Sequence, residues 1–365
     1  MISRDRVKLT LNHIEPDRVP LLDIPWDKTV ERWHKEGIPF NIEIEDYFGY
    51  ELKWFLPDIS LQFPYKVIEE TDKYIIERNN YGEVVKNFKD RSSTPQIMES
   101  PIKNKSDWDK LKNRLKLNEK RGLTFGSVLD YSNVVSFEDG LLKFKKYYDN
   151  GKFILFGALV GFDLIQRYVG MERLLMAIVT DPEWVKEMFL ENAKFIPEMY
   201  EYMESKGYKF DGIFIFDDLG YRNTSLFSPL HYKKLLLEAD KIICDYAKSR
   251  NLKVILHSDG CVKDLIPYFI EAGIDCLQPL EVKAGMDLID LKKKYGGKLS
   301  FMGGIDTRLY YNEDVRLFEE EVRKKFEVVK KGGGFIYQCD HTVPPNVSLN
   351  RYKDILKIVK KYSNY

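Results

Sequence analysis

The sequence predicts an α/β fold, a (β/α)8 TIM barrel with an N-terminal hairpin insertion, and three observations carry that expectation. The chain has 365 residues, 44% hydrophobic and 14% aromatic, which is enough for one large core and a single domain over residues 1–365. From Lys152 onward, apolar runs alternate regularly with helical patterns, which implies parallel strands joined by right-handed crossovers. Five runs stop at ionisable residues: Phe210 to Asp218, Lys253 to Gly260, Cys276 to Glu281, Phe301 to Asp306 and Phe335 to His341. Such endings put polar side chains on the carboxyl edge of a sheet, where α/β folds keep their chemistry.

The elements follow in order. A helix is expected from Ser3 to His13, then a turn at Glu15-Pro16-Asp17 and a first strand, 19–24, that ends near Asp23. Residues 41–100 differ in texture. There, Tyr74 to Arg78 and Glu83 to Lys86 have period two and flank Asn79-Asn80-Tyr81-Gly82, which reads as a hairpin within an insertion or lid. A polar connector, Ser100 to Trp108, leads into helices. The remaining strands are expected at 59–64, 153–160, 210–217, 253–258, 275–280, 298–304 and 333–339, which with 19–24 gives the eight of a barrel. Ser228 is the N-cap and Pro229 the first residue of a helix whose apolar positions include Leu236, Ala239 and Ile243, with Cys244 packed inside it. An open doubly wound sheet would need a Gly-rich phosphate turn after its first strand, and the sequence has none there.

Composition narrows the function. Lys plus Arg (57) equals Asp plus Glu (57), so no net field draws nucleic acid or an anionic membrane. The charged start, Met1 to Arg6, is unlike a signal peptide and no apolar window approaches a membrane span, so a cytoplasmic location is expected. Cys244, Cys261, Cys276 and Cys339 have no paired spacing, and disulfides are not expected.

Asp217-Asp218-Leu219-Gly220, Ser228-Pro229, His257-Ser258-Asp259-Gly260, Gln278-Pro279-Leu280-Glu281, Gly303-Gly304-Ile305-Asp306 and Asp340 to Pro345 with Asn350 together resemble the uroporphyrinogen decarboxylase superfamily. The resemblance covers essentially the whole chain and is strongest from Phe210 to Asn350. It implies a TIM barrel with one of two chemistries: cofactor-free decarboxylation of uroporphyrinogen, or zinc-dependent methyl transfer to or from a corrinoid protein. The decarboxylases carry an arginine-rich amino-terminal motif that grips the substrate carboxylates. Here that stretch is Leu21 to Lys28, without the two arginines and with Asp23 nearby, so an octa-anionic substrate loses its bidentate partners.

The methyltransferase branch has a His-x-Cys element, a second cysteine at the last strand end and a glutamate around zinc. In this chain the resemblance puts His257, Cys339 and Glu281 in three of those places, with Asp259 where the first cysteine would stand. Zinc accepts carboxylate oxygen, so the resemblance implies a metal site of His257, Asp259, Glu281 and Cys339, with Cys261 a less suitable donor past the turn. Asp217, Asp218 and His341 are the expected catalytic groups, although the two aspartates could equally cap a helix and His341 could only bond its loop. Asp306 and Trp26 are expected at the substrate, with Trp33 and Trp54 as further walls of an apolar pocket. His13, His34 and His231 are assigned no chemistry. The expected activity is metal-dependent methyl transfer between a small methylated substrate or acceptor and a corrinoid carried by a separate protein, with a homodimer compatible. A metal-free decarboxylase and an inactive ligand-binding barrel are the alternatives.

Overall fold

The computed structural model describes residues 1–90, 94–124 and 134–365. Among these residues, β1 (Leu52–Pro57) opens the main sheet, and β2 (Lys66–Glu70), β3 (Tyr74–Arg78), β4 (Val84–Phe88) and β5 (Gln96–Glu99) form a separate antiparallel meander. β6 (Leu123–Thr124) and β7 (Val134–Val135) add a short antiparallel edge to β1. β8 (Phe153–Leu159), β9 (Gly212–Phe216), β10 (Lys253–His257), β11 (Cys276–Gln278), β12 (Ser300–Met302) and β13 (Phe335–Ile336) then pair in sequence order, parallel throughout, with β8 lying against β1.

The remaining gap between β13 and β1 is filled by the first expected strand, which survives only as a bridge. Tyr337 donates to the Pro20 carbonyl at 2.9 Å, Leu22 donates to that of Tyr337 at 3.0 Å, and Glu51 donates to that of Leu21 at 3.0 Å. This closes the TIM barrel. Pro20 has no N–H, so the segment cannot extend its ladder. It is pinned instead by Glu51, buried at 1% exposure, whose carboxylate accepts from Leu21 N at 2.8 Å and from Arg18 at 2.8 Å and pairs with Arg6 of the opening helix, Ser3–Leu11.

The second strand lies at Leu52–Pro57 and not at 59–64. In the later stretch, local side chains take over the backbone donors: Asp58 Oδ1 accepts from Ser60 N at 3.0 Å, and Ser60 Oγ from Gln62 N at 3.0 Å. Such bonds compete with a ladder and turn the chain, and Gln62 lies at φ 52. The expected hairpin is β3 and β4, extended on both sides by β2 and β5.

β8 reads Phe-Ile-Leu-Phe-Gly-Ala-Leu and is buried along its whole length, as a parallel strand covered on both faces must be. Ser228 caps its helix through His231 N, Pro229 stands at the first position, and Cys244 is buried in the core, as the sequence indicates. The turn between them is π-helical over Tyr232–Leu236. The hydroxyl of buried Tyr232 there donates to Asp240, which burial pushes up to about 7. No helix among the described residues is long and apolar enough to cross a membrane.

Candidate metal centre

Four parallel strands deliver the rim. β9 leads into Asp217 and Asp218, β10 ends at His257 with Asp259 two residues on, β11 leads to Glu281, and β13 to Cys339, Asp340 and His341. His257 Nε2 stands 3.5 Å from Asp218 Oδ1 and 4.0 Å from Asp259 Oδ1. His341 Nε2 stands 3.9 Å from the other oxygen of Asp259 and 3.9 Å from Glu281 Oε1. Among the described residues, Asp218, His257 and Asp259 form one group able to share an ion, and Asp259, Glu281 and His341 form another. Asp259 belongs to both, with one oxygen toward each imidazole.

The donor set suits a divalent metal. Zinc holds N and O donors at about 2.0–2.2 Å, which in tetrahedral geometry puts them roughly 3.3–3.6 Å apart, so these pairs need to close by only a few tenths of an ångström. Asp259 Oδ1 is shielded from solvent without a hydrogen-bond partner, which leaves an acceptor aimed at His257. Burial opposes the His257 imidazolium, but the Asp259 and Asp218 carboxylates and the Gln278 bond outweigh it, and the pKa is raised. A cation is thus favoured between these side chains.

The remaining residues frame this centre. Leu280 at φ 66 turns the backbone just ahead of Glu281. Asp340 accepts from Val282 N at 2.9 Å and from Thr307 N and Oγ1 at 2.8 and 2.5 Å, and so joins the loops after β11, β12 and β13. Asp306 forms an ion pair with Arg308 at 2.7 Å; burial opposes its charge, but the guanidinium prevails and holds its pKa below the usual range. Trp26 is exposed ahead of the Asp27–Lys35 helix, and Trp33 is buried in the core, stacked on Tyr352 at 4.6 Å.

Cys339 stands in neither group. Its buried sulfur donates to the His341 carbonyl at 2.5 Å, and burial together with nearby Asp23 raises its pKa well above that of an ordinary thiol. Asp23 accepts from Cys339 N at 2.8 Å, Tyr310 at 3.0 Å and Tyr352 at 2.8 Å, yet burial outweighs these donors and pushes its pKa up to about 6. The protonated form is therefore the one the fold favours. Its contribution is complete below about pH 3.8 and is lost as pH rises through about 6, a change of about 3 kcal/mol for such a shift. Denaturation across pH 4–7 should show that loss in the wild type and a flatter profile in Asp23→Asn.

Asp217 is also buried, at 1% exposure, and burial followed by Asp240, Asp163 and Asp218 raises its pKa well above the carboxylate range. Its Oδ1 accepts from Asp163 N at 2.8 Å, so it caps the neighbouring helix, Gly161–Val169. A Cβ on Gly161 would lie 2.2 Å from its other oxygen. The loops after β9 and β10 are stitched together: Asp259 N donates to Asp218 Oδ1 at 2.9 Å, Cys261 N to the Tyr221 carbonyl at 2.7 Å, and Leu219 N to Ser258 Oγ at 3.0 Å. A Cβ on Gly220 would lie 2.2 Å from the Asp259 carbonyl, so the two backbones touch only because that position is glycine.

Beside His257, Phe216 lies at 5.4 Å between ring centroids, Phe214 packs on Phe216 at 4.7 Å, and half-buried Trp54 stacks on Phe214 at 5.4 Å. Gly157 on β8 is in register with Phe214, and its missing side chain lets the rings from β1 and β9 meet across the intervening strand.

Residues 87–362 match the family described as Uroporphyrinogen decarboxylase (URO-D). The chain belongs to the URO-D family. Among solved structures, a methyltransferase from Methanosarcina mazei aligns with this URO-D family member at TM-score 0.67 and 13% identity, over 99% of both chains. A B12-independent methionine synthase from Shewanella sp. W3-18-1 aligns at TM-score 0.49 and 12% identity, over 95% of both. No curated protein matches by sequence.

Within this URO-D barrel, the sequence names Gln278 only as part of a motif and gives it no role, and it assigns none to Gln338, Asp163, Gly157 or the tyrosines around Asp23. Gln278 lies inside a strand-end run that the sequence marks, and its polar side chain next to the last apolar strand residue is the signal that could have found it.

Proposed function

We propose that this chain is a metal-dependent methyltransferase that moves a methyl group between a small methylated substrate or acceptor and a corrinoid carried by a separate protein, with zinc as the resident metal. The observation that supports it most is Asp259 reaching toward both His257 and His341, which joins two donor groups into one rim. His257 and Asp259 would hold the ion from the first group, with Glu281 and His341 of the second group drawing in toward it through their shared Asp259; Cys339 is left out because its sulfur is engaged below. When bound, the metal supplies Lewis acidity at the substrate heteroatom. Asp218, half-buried beside His257, exchanges a proton with the substrate. Trp54, backed by buried Phe214 and Phe216, holds the apolar body of the substrate and excludes water.

A polyanionic tetrapyrrole fits this rim poorly. Asp218, Asp259 and Glu281 face it, while Lys283 and Arg308 are engaged with Glu281 and Asp306. Metal analysis of protein purified without chelator tests the proposal, together with a methyl-transfer assay using a corrinoid protein. Stoichiometric zinc and methyl transfer support it, whereas metal-free protein that decarboxylates uroporphyrinogen sinks it. Trp54→Ala should raise KM for the methylated substrate about 10-fold with a smaller change in kcat, since an aromatic contact contributes roughly 1 kcal/mol beyond the area it buries. Steady-state kinetics on that variant decides whether the aromatic wall serves binding.

A further inference from the structure

A second line of side chains lies behind His257. Gln278 is its partner in register on β11, is buried at 1% exposure, and places Oε1 2.5 Å from His257 Nδ1. An amide oxygen only accepts, so this contact is a hydrogen bond only when Nδ1 carries the proton. The amide is itself held: Gln278 Nε2 donates to Gln338 Oε1 at 3.0 Å, and Gln338 is equally buried. β12 continues between them as Gly303-Gly304.

Turning Gln278 over would set its Oε1 against Gln338 Oε1, acceptor against acceptor, in a dry interior where an unpaired polar group costs about 1–3 kcal/mol. With Nδ1–H fixed, the lone pair of Nε2 points at Asp218 and Asp259. We propose that Gln278 is a positioning residue that locks His257 in its Nδ1-protonated tautomer, and that Gln338 sets the orientation of Gln278. The consequence for metal affinity rests on the metal-centre reading above. The tautomer lock does not.

Nitrogen-15 histidine spectra of the full chain, recorded well above the imidazole pKa, measure the tautomer without any metal; with 5 histidines the spectrum is sparse. The wild type should show His257 protonated at Nδ1. Gln278→Leu should lose that state, Gln278→Glu should keep it because a carboxylate still accepts, and Gln338→Leu should lose part of it without touching the imidazole. Titration with Co(II) against a chelator should show affinity about 10–100-fold lower in Gln278→Leu, with altered visible bands, and near-wild-type binding in Gln278→Glu. Melting curves establish that each variant is folded.

An Nε2-protonated His257 in the wild type overturns the proposal. So does a folded Gln278→Leu with unchanged histidine shifts and unchanged Co(II) affinity. A wild type with the Nδ1–H tautomer, lost in Gln278→Leu, but with no Co(II) uptake upholds the lock and overturns the metal centre instead.

Discussion

Replacing His257 with alanine should empty the metal centre and lower kcat/KM for methyl transfer by about 1000-fold, roughly 4 kcal/mol, the scale of losing a metal's charge stabilisation. Asp259→Ala should do the same, because its two oxygens face two imidazoles and its removal parts both donor groups at once. Cys339→Ser is the control: its sulfur bonds the His341 carbonyl, so metal content should hold. Metal analysis and kinetics on the three variants separate a rim centred on Asp259 from one that needs the thiolate. Acid should release the ion early, since the Asp259 and Asp218 carboxylates raise the His257 pKa against burial and protons compete at that nitrogen.

Gly303→Ala should be the most damaging single methyl in the barrel. Its φ of 108 lies where L side chains are strained, and its Cβ would sit 2.0 Å from the Pro279 carbonyl oxygen, a backbone atom that cannot rotate away. We expect a loss of about 3 kcal/mol or more in unfolding free energy, read by denaturant titration. Pro279 follows Gln278, so any surviving fold should bind Co(II) less tightly than wild type. A variant with wild-type stability and metal affinity would show that β12 yields freely.

How much of this was legible in the chain depended on whether the signal was local. β8 to β13 announce themselves because each is a short apolar run ending in polar groups, and β3 with β4 because period two brackets a turn. β1 was misplaced onto 59–64, where Ile59 and Leu61 are buried like strand residues while Asp58 and Ser60 bend the backbone. Which donors converge is different information. Asp259 and His341 are far apart in sequence and meet only because the barrel curls, and Cys339 carries the right chemistry for a ligand but is turned toward Asp23 and the His341 carbonyl. Gln278 was hidden because an amide in a strand end looks like packing until its partners on two other strands are seen.

The glycine contact between the loops after β9 and β10 bears on how the mouth responds to a guest. With Gly220 pressed against the Asp259 carbonyl and Asp218 holding the Asp259 amide, neither aspartate can travel alone. They move as the two arms of one rigid jig, so the spacing of the two carboxylates around His257 is set during folding.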